Sequence, residues 1–212
     1  MSLTPKQSDL MRLTGEPLKT HLRSALQNPA RGSSDYDLNA DQQSFNKTNL
    51  RAAAVLVAIQ MQHGTPYIIL TKRSAKLKNH PGQVAFPGGK IDPCDATAIQ
   101  AALREAQEEI ALPPDQVEVL GSLPDHITIT GFRVTPIVAY IEGLFQPIPE
   151  TGEVDEVFRV PLDFLIHHQN YTICKRLYMG YERRYYTVTY GPHYIWGATA
   201  RMLRAFADCF EP

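Results

Sequence analysis

Cysteine is scarce. Cys94, Cys174 and Cys209 are an odd, scattered set with no CxxC or Cys/His ligand spacing, which fits neither a disulfide framework nor a zinc site. A reducing, cytoplasmic setting is therefore expected. No apolar run approaches the length that crosses a bilayer, and the opening residues MSLTPKQSDLMRL lack the hydrophobic core of a secretory signal, so no membrane partner is expected. The sequons at Asn46 and Asn170 consequently carry little meaning. Neither sign of charge dominates, since 21 Lys and Arg stand against 22 Asp and Glu for a net charge of -1. Nothing here is the footprint of nucleic acid. The dinucleotide signature GxGxxG is missing, and Gly88-Gly89-Lys90 fails as a P-loop because Ile91 follows it and no glycine stands at 84.

What is present is an ordinary globular balance, 43% hydrophobic and 20% charged over 212 residues, enough for one compact domain with its own core. Leu18, Leu22, Ala25 and Leu26 recur at helical spacing ahead of Asn28-Pro29, so a short amphipathic helix is expected to open the chain and pack on the rest. The stretch RGSSDYDLNADQQSFNKTN is polar and turn-rich, and reads as a loop or tether. Residues 1–49 thus read as a helical extension with a polar loop, and residues 50–212 as the main domain.

In that domain RAAAVLVAIQM and PYIILTKR are β-prone runs joined through Gln62-His63-Gly64-Thr65, which predicts a hairpin. QVEVLGSL, FRVTPIVAYI and EVFRVPL read as further strands, and PLDFLIHH as a short helix. RLYMGYERRYYTVTYGPHYIW reads as a hairpin turning at Met179-Gly180 or Gly180-Tyr181, and GATARMLRAFADCF as a closing helix. Runs of strands around one central helix predict a mixed-sheet α/β or α+β layered fold. Ahead of that helix lies KLKNHPGQVAFPGGKIDP, too long for a plain connection and therefore a functional candidate.

The central helix carries three glutamates within five positions near its end, in LREAQEEIAL. A helix C-terminus bears partial negative charge, so carboxylates in the last turns are disfavoured by about 0.3 to 1 kcal/mol each. Asp95, or Asp92 with Pro93 after it, is the expected cap, and Pro113-Pro114 the expected stop. Ile99, Ala102, Leu103, Ala106 and Ile110 then form an apolar face, with Glu105, Glu108 and Glu109 converging at its edge through i+3 and i+4 spacing. A solvated acidic face is the plain reading of such a cluster. The paired glycines upstream point further, because glycine lets backbone approach a ligand closely. Oxygen donors without nitrogen or thiolate suit Mg2+ or Mn2+.

Read together, GGKIDPCDATAIQAALREAQEEIAL resembles the Nudix box: glycine, five residues, glutamate, seven residues, then R-E-apolar-x-E-E-x-G-apolar. Arg104, Glu105, Glu108 and Glu109 match its second half. Counted back from Arg104, the first acid's slot holds Ala96 and its glycine slot Lys90, while counting from Gly89 reaches Asp95. Ala111 stands where the last glycine belongs. The preceding ILTKRSAKLKNHPGQVAFPGGK is similar to the upstream motif of the coenzyme A diphosphatase branch, and the likeness extends over residues 50–205.

That resemblance implies a Nudix α/β/α sandwich with a mixed sheet, and hydrolysis of coenzyme A to 4'-phosphopantetheine and adenosine 3',5'-bisphosphate. It implies a metal held by Glu105 and Glu109, with Glu108 supporting and a backbone carbonyl at Gly88 or Gly89 adding a donor. Arg104 is expected to orient a glutamate by a salt bridge. Glu153, with Glu156 as second choice, is the loop candidate for general base, although loop glutamates are commonly just solvated. Lys72, Arg73, Lys76 and Lys78 are candidates for meeting the 3'-phosphate, or else form an exposed basic loop. His80 and Gln83 are expected to shape the loop or contact substrate. Tyr178, Tyr181, Tyr185 and Tyr186 are expected to pack within a hairpin, with adenine stacking as the alternative. The partner is a small molecule, coenzyme A or a related nucleotide, and a homodimer is a further possibility. The rival readings are a Nudix hydrolase of NADH, ADP-ribose or a dinucleoside polyphosphate, and a non-catalytic nucleotide-binding regulator.

Overall fold

The computed structural model of the chain describes residues 13–27, 32–39, 49–178 and 180–210. Among them the elements run α1 (Gly15–Leu26), β1 (Ser33–Ser34), β2 (Arg51–Gln62), β3 (Thr65–Arg73), β4 (Val84–Ala85), β5 (Gly88–Lys90), α2 (Ala98–Ile110), β6 (Val117–Ser122), β7 (His126–Ile127), β8 (Phe132–Ile141), β9 (Val154–Pro161), α3 (Leu162–Ile166), β10 (Tyr171–Tyr178), β11 (Tyr181–Tyr190), β12 (His193–Trp196) and α4 (Ala198–Asp208). The expected helix stop at Asn28-Pro29, loop residues 40–48 and Met179 of the expected turn lie outside the described residues.

Strand β2 is the spine. It pairs in parallel with β8 from Arg51↔Phe132 to Gln60↔Ile141, and antiparallel with β3 and β5. The β2–β3 turn places both His63 (φ 50°) and Gly64 (φ 79°) in the left-handed region, as a tight two-residue hairpin demands. Strand β9 adds to β3, and β6 and β7 add to β8, so nine of the described strands share one mixed sheet. Side chains of β2 alternate between two cores, as a strand's period of two requires. Ala54, Leu56 and Ala58 meet Ala102, Ala106 and Ile110 of α2. Ala53, Val57 and Ile59 share the opposite core with Leu18 and Leu22 of α1, Leu165 of α3, and Leu203 and Phe206 of α4. Helices on both faces of a mixed sheet make an α/β/α sandwich. Strands β10, β11 and β12 form a second sheet, with Val188 and Ile195 reaching the α1–α4 core.

Helix α1 and strand β1 join this body. Leu18 and Leu22 are fully buried, each stabilising the packed state by roughly 1.5 to 3 kcal/mol through apolar transfer. Lys19 ties α1 to the sheet through Glu118 at 2.7 Å and Glu142 at 2.8 Å. Part of the stretch expected as a tether is a strand: Ser33–Ser34 pairs in parallel with β7. Its register was illegible because two serines carry no alternation of apolar and polar side chains.

Four further expectations are corrected. The loop after β3 is not structureless, since it contains β4 and β5. Helix α2 starts at Ala98, capped by Thr97, whose hydroxyl accepts the Gln100 N–H at 3.2 Å; Asp95 is drawn away by Arg104. The buried face comprises Ala101, Ala102, Ala106, Glu109 and Ile110, so Ile99 is exposed and Glu109 lies inside that face rather than at its edge. Small alanines let the helix sit close to the alanine-rich side of β2. The helix ends at Ile110, ahead of Pro113-Pro114, because Ala111 turns left-handed (φ 58°), its N–H closing on the Gln107 carbonyl at 3.0 Å and the Leu112 N–H on the Ala106 carbonyl at 3.3 Å.

A left-handed alanine costs about 1 kcal/mol relative to glycine, partly offset by glycine's greater freedom in the unfolded chain. Ala111→Gly is expected to stabilise the fold by about 0.5 kcal/mol in urea denaturation. A measured destabilisation would contradict the strain assigned to this position.

Candidate active site

Two glycines bring the loop onto the acidic helix. At Gly88 (φ 150°) a Cβ would lie 2.4 Å from the Ala54 carbonyl oxygen and 2.6 Å from Val55 Cα, so only glycine allows β5 this close to β2. At Gly89 a Cβ would lie 2.5 Å from Glu105 Oε1, which places the Glu105 carboxylate directly against the Gly89 backbone. The Gly88 N–H donates to Glu109 Oε2 at 3.3 Å. Arg73, the last residue of β3, approaches Glu109 Oε1 at 4.0 Å. Strand β5 is thus wedged between the spine of the sheet and two carboxylates.

Arg104 organises the remaining acids. Its Nε and Nη2 form a fork on the Asp95 carboxylate at 3.1 and 3.0 Å, and Nη2 also donates to the Lys90 carbonyl at 3.2 Å. Nη1 meets Glu105 Oε1 at 3.0 Å and Glu108 Oε2 at 2.9 Å. A planar guanidinium can hold several acceptors in fixed directions where an ammonium cannot. Asp95, the acid reached by counting from Gly89, is held below the usual carboxylate range by that fork.

The helix's final carbonyls are also met. The N–H groups of Ile148 and Glu150 donate to the carbonyls of Ile110 and Glu109 at 3.0 and 2.9 Å, satisfying orphan acceptors at the helix end. This docks the 145–153 loop beside the acids. Glu153 is exposed, its carbonyl accepting from the Ser74 N–H at 2.7 Å, and its charge acts on both Glu105 and Glu109. Glu156 instead faces His193 at 3.4 Å.

Glu109 is 4% exposed, and burial pushes its carboxyl up to about 8; Glu105 and Glu153 raise it further, against the lowering influence of the Gly88 N–H and Arg73. Glu105 is likewise raised, chiefly by burial and despite Arg104. Among the described residues no group of three or more His, Cys, Asp or Glu is drawn into a ready ligand set. The donor chemistry nevertheless fits a hard divalent cation: two carboxylates, half-buried and buried, repel one another, and Mg2+ takes one or two protein carboxylates and leaves its other positions to water and substrate.

Beside the glycines opens a cavity of about 730 Å³ under the second sheet. It is lined by Arg51, Arg73, Arg176, Arg183, Arg184, Arg201 and Lys90, with Asp35 as its single acid. Gly89 and Arg73 border both the cavity and the carboxylates. Of the basic residues singled out in the sequence, only Arg73 reaches the cavity. Lys72 and Lys76 lie near Asp155 and Lys78 is exposed, because β3 sends alternate side chains to opposite faces and the following turn points outward. Gln83 and His80 line the wall. Tyr185 and Tyr186 do so too, Tyr185 edge-on to Trp196 at 5.5 Å and Tyr186 beneath Arg201, whereas Tyr181 is exposed. The Tyr178 side chain lies outside the described residues. The arginines of β11 were missed because a strand of alternating charge and tyrosine reads as a solvated hairpin; their clustering was the available signal.

Residues 49–177 match the NUDIX domain. The chain belongs to the Nudix family. It is 41% identical over 174 residues to a protein of Citrobacter koseri described as "Uncharacterized Nudix hydrolase NudL", covering 82% of this chain and 90% of that one. A protein of the same description from Pectobacterium atrosepticum is 43% identical over 162 residues, covering 74% and 81%. Among solved structures, the Nudix hydrolase RenU of M. smegmatis superposes with a TM-score of 0.46 at 27% identity, over 54% of this chain and 72% of that one. An Ap4A hydrolase of C. elegans superposes with a TM-score of 0.46 at 20% identity, over 52% and 80%. Within the Nudix box, the extra residue before the helix is accommodated by Asp95 reaching Arg104, and the slot of the final glycine is the left-handed Ala111. Among the described residues no helix is long and apolar enough to cross a membrane, and all three cysteines are free thiols.

The raised Glu109 carboxyl makes stability depend on pH. Its folded value of about 8 exceeds the 4.5 of an ordinary glutamate, so its contribution is fully present below about 4.5 and is lost as pH rises through about 8. Glu109→Gln is expected to melt close to the parent near pH 5 and several degrees above it near pH 8.5, both in chelator, a gap on the order of a few kcal/mol. Parallel melting curves across that range would contradict the burial assigned to this carboxyl.

Proposed function

We propose that this Nudix hydrolase cleaves the pyrophosphate bond of coenzyme A or its derivatives, yielding 4'-phosphopantetheine and adenosine 3',5'-bisphosphate. The observation that carries the reading is the cavity: seven basic side chains against one acid, with Gly89 and Arg73, which lie against Glu105 and Glu109, on its lining. Such a wall suits a substrate with a phosphate beyond the diphosphate being broken, and coenzyme A has one. The likeness of residues 69–90 to the coenzyme A diphosphatase motif supports the same substrate.

Nudix hydrolases generally use divalent metal ions, and here Glu105 and Glu109 would hold Mg2+ or Mn2+, with Glu108 supporting and the Gly89 carbonyl as a further donor. Such an ion would supply neutralisation of diphosphate charge and acidification of a bound water. The chain's own residues do the positioning. Arg104 fixes the carboxylates of Glu105 and Glu108 from one guanidinium, so neither has to be ordered at the moment of reaction. Arg73 places a cation where a phosphate oxygen would enter the site from the cavity. Glu153, exposed on a loop clasped to Ser74 and to the helix end, is the group proposed to take the proton from the attacking water.

Incubating the purified protein with Mg2+ or Mn2+ and, separately, coenzyme A, NADH, ADP-ribose and diadenosine tetraphosphate, with products identified by mass spectrometry, tests the assignment. Coenzyme A is expected to yield the two named products, and Glu109→Gln to lower that turnover by more than about 100-fold, beyond the loss typical of an outer-shell partner. Intact coenzyme A beside cleaved ADP-ribose or NADH would overturn the substrate, and no cleavage of any compound would favour a non-catalytic binding role.

A further inference from the structure

The cavity holds more cationic wall than a diphosphate requires. Arg73 borders the carboxylates, Lys90 is exposed at the end of β5, and Arg201 is neutralised by Asp37 at 2.7 Å. Arg51 and Arg183 differ. Arg51 Nη2 donates to the Thr130 carbonyl at 3.0 Å while its guanidinium lies 3.9 Å from the centre of the Phe132 ring. Arg183 Nη2 donates to the Asp35 carbonyl at 3.3 Å and lies 5.5 Å from the centre of the Tyr36 ring. Among the described residues neither is ion-paired to a carboxylate. Asp35, the only acid on the wall, has its carboxylate committed to His126 Nε2 at 3.2 Å and the Ile129 N–H at 2.9 Å.

The two arginines bracket one structural unit, the 128–132 turn. Thr130 holds Arg51, and Ile129 holds Asp35, whose carbonyl holds Arg183. Asn39 clamps the neighbouring backbone of β11, its side chain exchanging two hydrogen bonds of 2.8 Å with the N–H and carbonyl of Arg184. Residues 33–39, at the start of the chain, thus form one wall of the cavity. Arg51 stands two residues along β2 from Ala53, which lines the cavity on the same face and pairs with Lys90, next to Gly89. That offset is about 7 Å, within the span of a ribose and an extended arginine side chain.

We propose that Arg51 and Arg183, set in place by residues 33–39 and the 128–132 turn, form a second anion subsite that takes a ribose phosphate outside the bond being hydrolysed. The occupant is the phosphate of a nucleoside bisphosphate moiety. Stacked guanidinium forks, fixed before ligand arrives, match phosphate oxygens in pairs and lose little freedom on binding. Arg51 and Arg183 are specificity-determining residues, and the inference deepens the coenzyme A reading, on which its choice of occupant rests.

The test compares kcat/KM for coenzyme A and for dephospho-coenzyme A, which differ only in the 3'-phosphate, in the parent and in Arg183→Gln. The parent is expected to prefer coenzyme A, and the variant to lose that preference roughly tenfold, the loss of one charge-assisted hydrogen bond, with the change in KM; Arg183→Lys should retain part of it. An equal fall for both substrates, or an unchanged ratio, overturns the subsite while leaving the coenzyme A reading intact. If neither substrate is cleaved, that reading fails, and calorimetric titration decides the subsite: adenosine 3',5'-bisphosphate binding more tightly than adenosine 5'-monophosphate, with the difference lost in Arg183→Gln, supports it, and equal binding overturns it. Should Arg183→Gln fail to fold by circular dichroism, Arg51→Gln carries the same comparison.

Discussion

A carboxylate buried against a backbone N–H governs this molecule. Glu109 is seated in the packed face of α2, pointing at Gly88, with only an amide at 3.3 Å and a guanidinium at 4.0 Å to offset its loss of water. That is too little for a full negative charge, as the elevation of its carboxyl to about 8 expresses. Every neighbouring feature follows from keeping the group there. Two glycines bring β5 within reach, Arg104 prevents the other acids from scattering, and the 145–153 loop seals the end of the helix. The fold stores an electrostatic deficit that a divalent cation would relieve.

The same constraint explains why the glycines cannot be exchanged for other small residues. A methyl at Gly88 would strike the backbone of β2, and one at Gly89 would strike the Glu105 carboxylate. The sheet, the loop and the acids share one contact surface less than a side chain thick. Rigid placement of this kind supports chemistry on phosphorus, where the protein contributes chiefly orientation and charge.

How much of this was legible in the sequence depended on range. β2, β3 and β8 were readable because their apolar residues run nearly continuously, β9 because Val157, Phe158 and Val160 mark a β-prone segment, and α2 because its acids and alanines recur at helical spacing. The carboxylates and glycines of the site were readable as a pattern of fixed spacing. Illegible features were those fixed by distant partners. Thr97 takes the cap because Asp95 answers to Arg104; Glu109 is buried because Gly88 lies above it; and Ser33–Ser34 is a strand only because β7 offers an edge. The cavity is the extreme case, assembled from residue 34 to residue 201 with the clustered arginines of β11 as its one local signal.

The proposed substrate wall and the proposed reaction centre therefore occupy different strata of the chain. The acids come from one contiguous helix and its loop, while the cationic wall draws on the start of the chain, the 128–132 turn and the second sheet. The central claim is the proposal that Glu109 and Glu105 hold a divalent cation. Titration of Mn2+ followed by loss of the free-ion electron paramagnetic resonance signal tests it most directly. The parent is expected to bind Mn2+ in competition with Mg2+, and a Glu105→Gln, Glu109→Gln double variant to bind it at least about 100-fold more weakly; equal affinity in the two proteins would contradict the account.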